Sequence, residues 1–148
     1  MNYTIIGCVY KPPNADINLC TTYMDSLLAK VNKEKKLCYI AGDFNIDLLK
    51  FDEHLPTADF VNCIFSHSFL PTINKPTRVT EKTATLIDNI FTNVDLKNSM
   101  SSILYADISD HYPVFLQSDL DVKPIAKPRF YYKRIYSDVA KSQFVHQL

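Results

Sequence analysis

The spacing of hydrophobic and polar positions changes several times along the chain, and each change marks an element. Residues 3–10 are apolar on both alternating faces, Ile5 and Val9 on one and Ile6, Cys8 and Tyr10 on the other. That pattern predicts a strand covered on both sides. Pro12-Pro13-Asn14 ends it in a loop. Cys20, Tyr23, Met24, Leu27, Leu28 and Val31 then recur at helical spacing, which predicts an amphipathic helix over residues 16–31 with the polar run 32–36 at its solvated end. Residues 37–41 form a short buried strand and 42–45 a turn. Pro56-Thr57 opens a second helix whose apolar face carries Phe60, Ile64 and Cys63. Further on, residues 69–73 and the β-branched run 83–92 predict strands flanking a polar loop over 74–82. Residues 102–105 and 114–116 predict two more, with Ser109-Asp110-His111 as a loop between them. Strands interspersed with two helices give an α/β chain with sheet layers at its core. Beyond Leu120 the periodicity stops; Pro124 and Pro128 punctuate a linker, and residues 137–148 predict a short helix.

At 148 residues the chain has the length of one domain, and 47% hydrophobic residues exclude a disordered protein. Sixteen basic and sixteen acidic residues cancel, so no protein-wide field attracts nucleic acid, and a polyanion must be held by a local cluster. The four cysteines lie in separate apolar runs, far apart, with no C-x-x-C pair and no histidine at ligand spacing. They predict buried thiols in a reducing compartment and no structural zinc site. The start lacks a basic leader, and no apolar run reaches the roughly 20 residues that cross a bilayer, which points to an intracellular protein without a membrane partner. A strand within the first few residues is also what a domain lacking its first half would show. Only two glycines occur, Gly7 and Gly42; Gly42, just before Asp43, predicts a strand end closely approached by its neighbour.

Five local patterns can carry chemistry. Gly42-Asp43-Phe44-Asn45 places a carboxylate and an amide at a strand end, where Asp43 can take a proton from water and Asn45 can orient it; an Asx-turn explains the same residues. Asp88, inside Leu86-Ile87-Asp88-Asn89-Ile90-Phe91, is costly in a buried strand unless paired. It can orient a histidine, or face water from an edge strand. Of the four histidines only His111 falls in a loop between strands, beside Asp110, whose hard oxygens suit a divalent cation; His54, His67 and His146 fall in helices or their flanks. Tyr10, at a strand end before Pro12-Pro13-Asn14, can hydrogen-bond a phosphate or serve as an amphipathic core tyrosine. Arg78 can contact a phosphate backbone or remain a solvated loop residue.

In chain order these patterns resemble the endonuclease/exonuclease/phosphatase superfamily, the apurinic-endonuclease and DNase-I-like proteins. More narrowly they resemble the endonuclease domain of non-LTR, LINE-type retrotransposons. The run Asn74-Lys75-Pro76-Thr77-Arg78-Val79-Thr80, leading to Thr85-Leu86-Ile87-Asp88, is similar to that subgroup, and residues 129–148 resemble its connector toward a reverse transcriptase. The resemblance implies the C-terminal half of a four-layered α/β sandwich with an extended C-terminal tail. It also implies roles: Asp43 activates the attacking water, Asn45 positions it, His111 stabilises the transition state and Asp88 orients His111. Asp110 helps hold the metal, Mg²⁺ or Mn²⁺, while Tyr10 touches the scissile phosphate with Asn14 beside it. DNA is the implied partner, and the nucleus the implied location in an active retrotransposon.

The sequence departs from the family in one large respect. The family's N-terminal half carries an Asn and a metal-binding Glu, whereas Glu34, Glu53 and Glu81 lie in no matching context. Residues 1–120 are therefore expected to be a partial domain and 121–148 a linker toward an absent reverse-transcriptase domain. The expected function is that of a metal-dependent nicking endonuclease fragment, weak or inactive alone. Two alternatives are a catalytically dead module that binds DNA or protein, and another phosphodiesterase or phosphatase of the same superfamily.

Overall fold

A computed structural model describes residues 3–97, 99–106 and 108–119. Strand β1 (Thr4–Tyr10) is joined through helix α1 (Ile17–Lys33) to β2 (Leu37–Asp43), which lies parallel to it. Asp16 caps α1 by accepting the Asn18 N–H at 2.9 Å, and Lys30 and Lys33 sit at the negative end of its dipole. A 3₁₀ turn (Leu48–Lys50) leads to α2 (Leu55–Ser66), with Pro56 in its first turn. Six short strands follow: β3 (Leu70–Pro71), β4 (Arg78–Val79), β5 (Ala84–Thr85), β6 (Asp88–Thr92), β7 (Ser99–Ile103) and β8 (Val114–Ser118).

The strands form a four-stranded sheet in the order β1-β2-β6-β3 and two hairpins, β4–β5 and β7–β8. Successive side chains of a strand point to opposite faces. Cys38 and Ile40 of β2 accordingly turn to the helices, where they join Leu28, Phe44, Phe60, Ile64, Phe69 and Phe91 in the core. Phe44, Phe60 and Phe91 meet as a ring cluster with centroids 4.9 to 5.9 Å apart. Burying one such side chain contributes about 1.5–3 kcal/mol, so this cluster is the main anchor of α2 on the sheet. Tyr39, between Cys38 and Ile40, faces the other way and donates to the Ser118 hydroxyl of β8 at 2.9 Å. Ser101 of β7 bonds the Thr72 carbonyl at 2.6 Å. The described residues thus form a helix layer, a sheet and a hairpin layer.

Several expectations are corrected. Strand β1 is covered on one face only: Ile5 and Val9 pack on the core, while Ile6 (82% exposed), Cys8 and Tyr10 (66%) are open. It is an edge strand, and the β7–β8 hairpin engages β2 and the Thr72 loop instead. The apolar stripe of α1 is likewise half used, with Met24, Leu28 and Val31 buried and Tyr23 and Leu27 exposed. The strand expected over 83–92 splits into β5 and β6, because the amides of Leu86 and Ile87 donate to Asp47 Oδ1 and Thr77 Oγ1 rather than to a ladder. The strand expected over 69–73 shrinks to two residues. Pro71 has no N–H to give, and the Ile73 amide turns to Asn89 Oδ1, which the Thr72 amide shares with the Ile90 carbonyl. The loop over 74–82 contains β4, and β7 runs from Ser99 rather than Ser102. Of the cysteines only Cys38 is buried; Cys20 and Cys63 are half-buried and Cys8 is exposed. The expected linker and helix beyond Leu120, with His146, lie outside the described residues. Among those residues no helix is long and apolar enough to cross a membrane.

Gly42 meets its expectation. A Cβ built there would stand 1.8 Å from the Val9 carbonyl oxygen and 2.8 Å from its carbon. The backbones of β1 and β2 therefore approach as they do only because position 42 has no side chain. That approach brings the ends of the two strands, Tyr10 and Asp43, into register.

Candidate active site

Asp43 ends β2 and Asp88 begins β6, and the antiparallel register sets the two residues directly opposite each other. Each carboxylate has its own partner. Asp43 Oδ1 accepts the Asn45 backbone N–H at 3.0 Å and Oδ2 accepts Asn45 Nδ2 at 3.0 Å; the same amide group also donates to the Lys11 carbonyl at 2.9 Å. Asn45 adopts a left-handed backbone, φ 46°, which asparagine tolerates better than most residues. The turn is thus an Asx-type bend, and it also holds the carboxylate and the amide side by side at the strand end.

Asp88 Oδ2 lies 3.1 Å and Oδ1 3.3 Å from His111 Nδ1. An ionised carboxylate only accepts, so Nδ1 carries the proton of this bond and Nε2 is the ring's other polar atom. Asp88 belongs to an interior strand and its side chain is 16% exposed, so pairing with His111, not facing water from an edge, describes it. His111 itself forms an isolated bridge with Arg78 at the start of β4.

The loops that carry this pair meet at Thr77, a fully buried residue. Its hydroxyl accepts the amides of Ile87 and Asp88 at 3.2 and 3.0 Å, and its carbonyl accepts the Tyr112 amide at 2.7 Å. One side chain and one carbonyl thus fix the backbone on both sides of the Asp88–His111 bond. Asn89, also fully buried, ties β6 to the chain after β3 by accepting from Thr72 and Ile73 and donating to the Ile73 carbonyl. Neither residue stood out in the sequence. Thr77 lay within the run resembling the retrotransposon subgroup, a signal without a role; Asn89 had none beyond its place next to Asp88.

The remaining candidates lie outside the Asp43–Asn45 and Asp88–His111 bonds. Arg78 Nε donates to Asp110 Oδ2 at 2.7 Å. The bond holds the Asp110 carboxyl below the usual carboxylate range and raises the Arg78 guanidinium, to which the charges of Asp43 and Asp88 also add. Arg78 is therefore ion-paired and within electrostatic reach of both inner carboxylates. Tyr10 is exposed at the end of β1, opposite Asp43 in the register, and Asn14 is exposed in the turn that follows.

Asp43, Asp88 and His111 each offer a ligand atom, all within 4.8 Å of one another. Mg²⁺ is ordinarily held through one or two carboxylates, so the two carboxylates of this group fit Mg²⁺ or Mn²⁺, while the His111 Nδ1 is engaged by Asp88. Glu34, Glu53 and Glu81 are all exposed and none belongs to the group.

The mixed α/β fold, a sheet backed by two helices, is similar to the DNase-I-like endonuclease fold. The fold is similar to that of the endonuclease domain of TRAS1, a telomere-specific non-LTR retrotransposon, with TM-score 0.59 and 16% identity over 76% of this chain and 56% of that one. It is also similar to an endonuclease/exonuclease/phosphatase family protein from Leptotrichia buccalis C-1013-b, with TM-score 0.57 and 19% identity over 78% of this chain and 49% of that one. The chain spans about half the length of these two solved structures. No curated protein matches the sequence. The endonuclease-reverse transcriptase family matches residues 4–115, and the chain belongs to it.

Proposed function

We propose that residues 1–120 carry one half of a divalent-metal-dependent active site that nicks DNA, of the kind a retrotransposon uses to prime reverse transcription, and that 121–148 lead toward a reverse-transcriptase domain. The observation that carries this reading is the Asp88–His111 hydrogen bond beside Asp43. Asp43 takes the proton of the attacking water and Asn45 orients that water. His111 faces the phosphate with Nε2 and stabilises the charge that builds on its oxygens, while Asp88 fixes the ring. Tyr10 and Asn14 contact the scissile phosphate, Arg78 the neighbouring backbone, and Asp110 assists the metal. Mg²⁺ or Mn²⁺, when bound, neutralises charge on the phosphoryl oxygens. The other half of the domain supplies the family's Glu, so the 148-residue chain nicks weakly or not at all. In an active element the substrate is nuclear DNA.

The test is nicking of supercoiled DNA in magnesium by this chain and by a chimera joining it to a family N-terminal half. The chimera should nick, and His111→Ala within it should remove most of the activity. Robust nicking by the bare chain that survives His111→Ala would overturn both the half-site reading and the role of His111. A folded, DNA-binding chimera without nicking would favour a non-catalytic interaction module.

A further inference from the structure

Away from the strand ends, three side chains of different chemistry meet where the two helices pack. Asp25 projects from α1, and Cys63 and His67 come from α2 and its C-cap, four residues apart and so on one helix face. Asp25 Oδ1 lies 2.8 Å from His67 Nε2 and 3.9 Å from Cys63 Sγ, and all three ligand atoms fall within 4.8 Å of one another. We propose that Asp25, Cys63 and His67 form a binding site for Zn²⁺ that clips α1 to α2.

The geometry suits that ion. Tetrahedral zinc holds sulfur at about 2.3 Å and nitrogen or oxygen at about 2.0–2.2 Å, so its ligand atoms stand roughly 3.2–3.7 Å apart. The three donors reach those separations by side-chain shifts of roughly 1 Å, with the ion between His67 and Asp25. The donor set suits it as well: a thiolate, an imidazole and one carboxylate favour borderline Zn²⁺ over hard Mg²⁺. Three protein ligands leave a fourth position for water.

The backbone beneath the site is already fixed. Asn32 Nδ2 of α1 donates to the His67 carbonyl at 2.9 Å, and Ser66 Oγ donates to the Cys63 carbonyl at 2.7 Å. His67 is 16% exposed while Asp25 is 62% exposed, so one ligand is held in place and another opens a path from solvent. Without a metal, burial and then the Asp25 charge raise the Cys63 thiol above its ordinary pKa. A dication reverses the sign of the second effect: Cys63 binds as the thiolate and its proton leaves to buffer, and His67 gives up the Nε2 proton it shares with Asp25, the neutral ring keeping its hydrogen on Nδ1. The proposed site runs against the expectation of no histidine at ligand spacing and no structural zinc site. Cys63 and His67 sit four apart on one helix, and their third ligand lies in another element, 38 residues before Cys63.

The test uses the 148-residue chain, stripped with a chelator and kept reduced by a phosphine, titrated with Co²⁺ and then Zn²⁺. A thiolate-to-cobalt charge-transfer band should saturate at one equivalent, be displaced by one equivalent of Zn²⁺, and vanish in Cys63→Ser. It should persist in Cys8→Ser and in an Asp43→Asn/His111→Ala double variant, which separates this site from the strand-end cluster. Loss of groups merely supporting a ligand costs roughly 10–100-fold in metal affinity, so His67→Gln and Asp25→Asn should each weaken Zn²⁺ binding at least about tenfold. No charge-transfer band at excess Co²⁺, or a band that survives Cys63→Ser, overturns the proposal. If Cys63→Ser does not fold, His67→Gln decides: unchanged Zn²⁺ affinity in that variant overturns it equally.

Discussion

Replacing Thr77 by valine keeps the shape of the side chain and removes only its hydroxyl. The buried amide of Ile87 and the half-buried amide of Asp88 both lose their acceptor. A buried donor left unsatisfied costs about 1–3 kcal/mol. Two of them, one partly open to water, should cost about 2–4 kcal/mol, a large part of the roughly 5–15 kcal/mol that holds a domain folded. Serine is the control, because it keeps the hydroxyl and loses one methyl, worth about 0.8 kcal/mol of burial. Urea unfolding of the three proteins should show an unchanged slope and a midpoint that falls far more for Thr77→Val than for Thr77→Ser. In the chimera described above, Thr77→Val should also lower nicking, since it frees the backbone that sets the Asp88–His111 distance. Equal losses for valine and serine, or a valine cost below about 1 kcal/mol, would refute the view that this hydroxyl holds the start of β6.

Gly42→Ala should be at least as damaging, by about 2–4 kcal/mol. Relieving a 1.8 Å contact with the Val9 carbonyl means parting β1 from β2 and giving up ladder bonds worth about 1 kcal/mol each; thermal unfolding reads the loss, and a fall of a few tenths would contradict the close approach. The Arg78–Asp110 pair has a definite pH signature. The Asp110 carboxyl is held low, so the pair's contribution is present above the ordinary aspartate range near pH 4 and disappears as pH falls through the lowered value. An NMR titration should show Asp110 ionising at higher pH in Arg78→Ala or in 1 M salt, because both groups are solvent-exposed and screened. The open apolar face of β1 should make the chain self-associate or bind hydrophobic dyes, and Ile6→Thr should reduce both; a dye-silent monomer would argue against that face as a contact surface.

Where elements depend on local pattern, the sequence was informative. The period of α1 and the proline in the first turn of α2 follow from neighbours within a few residues; glycine at position 42 was signalled by its place before Asp43, although the atom it makes room for, the Val9 carbonyl, belongs to another strand. The Asp43–Asn45 bend was readable from neighbours too, since its bonds span two positions. The Asp88–His111 pairing spans 23 residues and was approached only through motif order. Burial was less legible, because periodicity shows which face is apolar and not whether anything lies on it. Ile6 and Tyr10 have the character of core residues and the exposure of surface ones. Side-chain hydrogen bonds that replace a ladder were least legible: Thr77 and Asn89 end or redirect strands through single polar atoms that no periodicity reveals.

The facing carboxylates of Asp43 and Asp88 also bear on how such a chain changes by mutation. Like charges directly across an antiparallel ladder oppose pairing, and these two close the β2–β6 ladder at one end. Asn45 and His111 donate to these two carboxylates, so asparagine at either position exchanges relief of that repulsion for weaker hydrogen bonds. The pairing of β2 with β6 itself gains nothing from two acids at its end, and what they hold is not the ladder but the Asn45 bend and the His111 ring.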